Sequence, residues 1–144
     1  HLVFPNMSLK SIFDYEKMKS VLDSDTFQYF LLSSVDICIV STANYLPILA
    51  YEVDSSYHDD MIQKERDEKK NKIFELGGIY LLRIRAYGES SLVQVREQII
   101  KSTRELGLKI DPLDRKKLRL VNLFEEINFD TFGEEIENET KHGV

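Results

Sequence analysis

A chain of 144 residues, 42% hydrophobic and 31% charged, is ordinary for a soluble globular protein with room for a single core. Charge breaks every apolar run within about ten residues, short of the roughly 20 needed to cross a bilayer, and the start HLVFPNMSL has neither the basic region nor the cleavage site of a secretory signal. The net charge of −6 sits wholly in the tail: residues 1–119 carry 18 acidic and 18 basic side chains, residues 120–144 seven acidic against one lysine, so the neutral body is not excluded from binding phosphate.

The lone cysteine, Cys38, falls inside a predicted strand, which leaves no disulfide framework and points to a reducing, cytoplasmic setting. A first residue of His1 reads as a domain cut from a longer protein. In chain order, Ile12, Phe13, Met18 and Val21 predict a helix over 8–22, ended by Asp23, Ser24 and Asp25. FQYFLL over 27–32 reads as a strand, with Ser33 and Ser34 as a connection. In the next strand Val35, Ile37 and Ile39 face one side and Asp36, Cys38 and Val40 the other. A reversal with Asn44 as turn former leads to a strand over 47–54.

Asp59 and Asp60 open a helix favourably for its dipole. Met61, Ile62, Arg66, Ile73 and Leu76 mark its inner face, and Gly77-Gly78 stops it. Residues 79–84 are apolar at nearly every position, as in a strand buried on both faces, so the helix makes a right-handed crossover to a parallel strand. After a turn at Tyr87-Gly88, Ser90 or Ser91 caps a helix with Leu92, Val95, Ile99, Thr103 and Leu106 at helical spacing, closed by Gly107. A further amphipathic helix is expected from Pro112 to about Ile127, then an acidic, flexible tail from Asn128 to Val144. The expected architecture is α/β with a mixed sheet, order αβββαβ plus C-terminal helices, as a 1–107 domain followed by a 108–144 extension.

The chemistry lies in two carboxylates that apolar patterning does not explain. If Ser41 lies opposite Pro47, the same antiparallel register sets Val40 opposite Ile48 and Asp36 opposite Glu52, with β-carbons roughly 5 Å apart. Like charges so placed repel, and are kept by sharing a proton or holding a cation; oxygen ligands at this spacing suit Mg²⁺ or Mn²⁺. Asp54 points to the same face, or is a turn former after the strand. His58 follows, as a functional residue or a helix cap. Basic residues gather at Lys64, Arg66, Lys69, Lys70, Lys72, Arg83 and Arg85 and at 115–119, either as solvated faces and helix ion pairs or as phosphate contacts. Cys38 reads as a core filler.

Val35-Asp36, Glu52-Val53-Asp54 with His58, Gln63, Arg66-Asp67, Lys70-Asn71, and Gly78-Ile79 through Leu82-Arg83-Ile84 together resemble bacterial domains of unknown function related to very-short-patch-repair endonucleases, within the PD-(D/E)XK, or restriction-endonuclease-like, superfamily. The resemblance spans about residues 30–86. It implies a restriction-endonuclease-like core and Mg²⁺-dependent (or Mn²⁺-dependent) phosphodiester hydrolysis on DNA, by a nuclease module of a repair, restriction or defence protein. Asp36 and Glu52 would bind the metal, with Glu16 as the better and Asp14 as the weaker candidate for a further carboxylate. The superfamily's lysine two residues after the glutamate is Asp54 here. Either Lys70 supplies that charge, or His58 carries the proton, or Asp54 holds a second metal. Arg66, Lys69, Arg83 and Arg85 would contact nucleic acid, and a homodimer or fusion to a larger multidomain protein fits such enzymes. The alternative is a nuclease-like domain that has lost hydrolysis and binds nucleic acid or a partner protein.

Overall fold

The computed structural model describes residues 1–55, 61–86, 92–109, 123, 128, 131–136 and 138. The fold is mixed α/β, built on a four-stranded sheet of order β1-β2-β3-β4, from β1 (Leu2–Ser8), β2 (Ser34–Val40), β3 (Pro47–Ser55) and β4 (Tyr80–Ala86). Both pairs involving β2 are antiparallel, and β3 and β4 are parallel. The parallel pair is joined through α4 (Met61–Gly77), while α1 (Leu9–Ile12), α2 (Tyr15–Val21) and α3 (Ser24–Leu32) precede β2, and α5 (Leu92–Lys109) follows β4. The element order therefore differs from αβββαβ: a strand comes first, and three short helices stand between it and β2.

The N-terminal residues pair along β2 from Leu2↔Val40 to Ser8↔Ser34. Pro5 is tolerated because β1 is an edge strand, and Asn6 takes φ +48° between the flanking pairs. The single helix expected over 8–22 is broken at Phe13, whose backbone is extended. Its ring packs edge-on against Phe74 at 4.9 Å, and Asp14 opens α2 by accepting from the Lys17 N–H at 2.7 Å. The strand expected over 27–32 is helical instead. Asp23, read as the end of one helix, is the cap of the next, accepting from Thr26 N–H at 2.8 Å. Aromatic β-propensity lost to that cap and to burial of Phe30 against the sheet.

Two cores sandwich the sheet. On one face Ile37, Ile39, Leu49 and Tyr51 pack with Val95, Ile99 and Leu106 of α5; on the other Cys38, Val40 and Ala50 pack with α1, α2, α3 and the Ile73-Phe74 turn of α4. Val35 departs from the expected alternation and is buried with the second core. From Val95 to Leu106 the α5 stripe is as expected, the Leu92 side chain lying outside what is described, although the helix runs past Gly107 to Lys109. The tail departs from expectation. Residues 131–136 are helical, and Phe132 and Ile136, with Leu123, are buried in the α5 core. Two apolar residues one helical turn apart suffice to anchor a stretch whose composition is otherwise polar.

The Gly77-Gly78 stop is a Schellman motif. Gly78 takes φ +74°, its N–H donates to Glu75 O at 3.3 Å, and Ile79 N–H donates to Phe74 O at 3.2 Å. These bonds satisfy the last carbonyls of α4. A β-carbon at Gly77 would overlap the Phe13 ring, so this glycine also seats α4 on the N-terminal helices. The turn at 87–88, the caps at Ser90 and Ser91, the acidic pair Asp59 and Asp60, and all of the 112–127 helix except Leu123 lie outside the described residues. Among the described residues no helix is long and apolar enough to cross a membrane.

Candidate functional site

The site is made by one step of strand register. Ile37 pairs with Tyr51 and Cys38 with Ala50, so the next residues outward, Asp36 and Glu52, come side by side on the face that α4 covers. The route to this register differs from the expected one. An irregularity between Ile39 and Val40 sets Val40, not Ser41, opposite Pro47, and this shift near the turn leaves the far end of the ladder where the count put it. Asp36 Oδ2 accepts from Val53 N–H at 2.7 Å, which fixes its carboxylate against β3.

Glu52 is buried, and its Oε1 receives Lys70 Nζ at 2.5 Å. The same ammonium donates to Ser34 O at 2.9 Å, so Lys70 ties α4 to the start of β2 as well as to β3. Burial pushes the Glu52 carboxyl up to about 7. Lys70 opposes that rise by favouring the charged form, whereas Asp36 adds to it, both as a like charge and as a hydrogen-bonding neighbour. The outcome is a carboxyl that exchanges its proton near neutrality beside a second carboxylate and a buried ammonium.

This explains why apolar patterning misplaced the inner face of α4. Met61 and Ile62, expected inside, are exposed, and the buried positions are Lys70, Ile73 and Phe74. A lysine occupies the middle of the stripe because a carboxylate waits beneath it. No pattern of apolar residues reports such a position.

The other candidates distribute around this triad. Asp54 Oδ2 lies 3.5 Å from Arg83 Nη1, which is 3.3 Å from Asp67 Oδ1, and Arg83 Nη2 donates to Asn71 Oδ1 at 2.9 Å. Arg83, expected either to pair with acidic helix residues or to reach phosphate, has its guanidinium held by Asp54, by Asp67 of α4 and by Asn71. Arg85 is exposed at the next outward position of β4. Arg66 is exposed and Lys69 half-buried on α4. Glu16 is exposed in the first turn of α2 and does not complete a metal group with the pair, since among the described residues no three of His, Cys, Asp and Glu stand together as such a group. Its helix is a separate short segment after the break at Phe13, which the single-helix reading could not foresee. His58 lies outside the described residues. Cys38 is a core filler, its thiol pushed up to about 12 by burial.

Two carboxylates fit a magnesium-like cation, which prefers hard oxygen ligands and is held by one or two carboxylates, with waters and substrate phosphates filling the remaining positions. They do not suit a softer metal, for which thiolate or imidazole donors would be needed. Among known proteins, the model of the family described as Protein of unknown function (DUF2726) matches residues 1–102. No curated protein and no solved structure matches the chain.

Proposed function

The chain belongs to the DUF2726 family, and from the chemistry of its site we propose that it hydrolyses phosphodiester bonds in DNA with a divalent metal, on a restriction-endonuclease-like core. The observation that carries this reading is the triad: Asp36 and Glu52 side by side on adjacent strands, with the Lys70 ammonium on Glu52. The usual strand lysine of such nucleases is Asp54 here, and Lys70 supplies a positive charge at the carboxylate pair from the neighbouring helix.

Mg²⁺ or Mn²⁺ would be held by Asp36 and Glu52, and when bound it supplies a nucleophilic hydroxide and neutralises phosphate charge. The chain's own residues do the rest. Burial raises the Glu52 carboxyl, so Glu52 would have to lose its proton to serve as the second anionic ligand, and proton release would accompany binding of the cation. Lys70, held by Ser34 O, keeps its ammonium at the edge of the pair, where it faces the charge that develops on a phosphate. Asp36, anchored by Val53 N–H, needs no reorganisation to accept the cation.

A specific observation favours a second reading. Lys70 neutralises Glu52, and Asp54 is engaged by Arg83, as in a nuclease-like domain that binds without cutting. Plasmid nicking with Mg²⁺ or Mn²⁺, together with melting temperature, decides between them. The hydrolase reading expects nicking, and a rise in melting temperature with metal worth about 2.7 kcal/mol at a hundredfold excess over Kd. Both should vanish in Glu52→Gln. If instead Glu52→Gln melts lower without metal, and metal shifts neither protein, the pair is structural and the hydrolase reading fails.

A further inference from the structure

Beside the carboxylate pair, between α3 and α4, is a cleft of about 680 Å³ lined by Gln28, Tyr29, Leu32, Gln63, Arg66 and Lys69 among others, with Lys70 in its wall. That volume is within the roughly 300 to 1,000 Å³ of sites that enclose a small ligand. The cleft is open to solvent and large enough to take a nucleotide-sized group.

The charges in and around the cleft differ in how they are used. Lys70, Lys72 and Arg83 are neutralised by Glu52, Asp23, and Asp54 with Asp67. Among the described residues neither Arg66 nor Lys69 has an ion-pair partner, and both point into the cleft lining. The adjoining cleft, about 440 Å³, is lined by Asp23, Asp25, Glu65 and Glu68 against Lys69 and Lys72, so phosphate is repelled from that side. Asp25 reaches the edge of the larger cleft too, which leaves the α4 side, toward Lys70, as the favourable path for a backbone. On the α3 side, Tyr29 is half-buried and Leu32 is 87% exposed. A large aliphatic side chain left in water at the mouth of a cationic cleft provides an apolar surface for a base. Gln28 adds an exposed amide able to meet base edges, whereas the Gln63 amide donates to Asp67 Oδ1 at 3.0 Å.

A cationic track with an aromatic platform is the arrangement by which single strands are held. We propose that the α3–α4 cleft binds single-stranded nucleic acid, with backbone phosphates on Arg66 and Lys69 and a base on Tyr29 and Leu32, the strand running toward Lys70. This extends the hydrolase reading by naming the form of its substrate, yet the binding itself needs neither metal nor cleavage.

Fluorescence anisotropy in EDTA, with a labelled single-stranded oligonucleotide and the duplex of the same sequence, tests it on the full chain. The single strand should bind tighter than the duplex. Arg66→Ala with Lys69→Ala should weaken it and lower the slope of log affinity against log salt by about 1.4, from about 0.7 per phosphate contact on a single strand. Tyr29→Leu, which keeps apolar bulk in a partly packed position, should weaken binding about tenfold through loss of stacking, while Tyr29→Phe should bind as wild type does. Equal or tighter duplex binding, or an unchanged salt slope in the double variant, overturns the proposal. Single-strand binding by a protein that never nicks with Mg²⁺ or Mn²⁺ leaves the cleft standing and removes only the hydrolase reading.

Discussion

On one face of β2 and β3 the Tyr51 hydroxyl lies 2.6 Å from Thr103 Oγ1, and Thr103 in turn donates to Ile99 O at 2.6 Å. On the other face, one residue further along each strand, Asp36 and Glu52 stand together under Lys70. Both arrangements place polar groups in the interior of the same sheet. The hydroxyl pair is neutral, and each donor has an acceptor, so burial costs it little. The carboxylate pair carries more negative charge than one ammonium balances; burial raises the pKa of Glu52, Lys70 opposes that rise, and Asp36 adds to it. A buried, imperfectly balanced charge cluster adds little to stability, and the contrast between the faces is the ground on which Asp36 and Glu52 are proposed as a site.

The comparison can be broken first at its apolar side. Phe132 is fully buried with α5, so Phe132→Ala should cost about 3 to 5 kcal/mol in urea denaturation. Deleting residues from 128 onward should cost at least as much; near-wild-type stability after deletion would mean that the tail does not belong to the core. Next comes Lys70→Met, which strands a buried Glu52. The loss should be about 3 kcal/mol at pH 8 and clearly smaller at pH 5.5, where Glu52 takes a proton in place of its lost partner. An equal loss at both pH values would place the cost in packing and not in charge.

Thr103→Val deletes the acceptor of a buried tyrosine and should cost about 1 to 3 kcal/mol. Adding Tyr51→Phe should recover part of it, because no orphaned hydroxyl remains; strictly additive losses would show that the two hydroxyls do not act as a pair. A further effect is the pH dependence of Glu52 itself. Its folded pKa is above the ordinary 4.5, so between about pH 4.5 and 7 the folded state keeps a proton that the unfolded state has lost. Stability from this group is therefore fully present below pH 4.5 and declines as pH rises to about 7, by at most about 1.4 kcal/mol per pH unit. In metal-free protein, the difference between wild type and Glu52→Gln should follow that slope in thermal melts across pH 4.5 to 8. A flat difference would mean that Glu52 is ionised throughout.

By itself, the sequence determined the period-two alternation of β2 from Ile37 to Val40, the glycine stop of α4 and the helical stripe of α5, because each is written in residues a few positions apart; the expected burial of β4 on both faces did not follow, since β4 is an edge strand, half-buried except at Ile84 and with Arg85 exposed. The sequence also determined that Asp36 and Glu52 share a face, since antiparallel register is a counting relation that a small irregularity near the turn did not disturb. Tertiary structure alone decided the rest. Whether FQYFLL is strand or helix depended on the Asp23 cap and on what Phe30 could bury. The docking of Phe132 and Ile136 depended on a surface supplied by α5. That Lys70 faces inward, and Arg83 is claimed by Asp54, Asp67 and Asn71, depended on charges brought together from elements far apart in sequence. Such pairings follow from distance and desolvation, and neither quantity exists until the chain has folded.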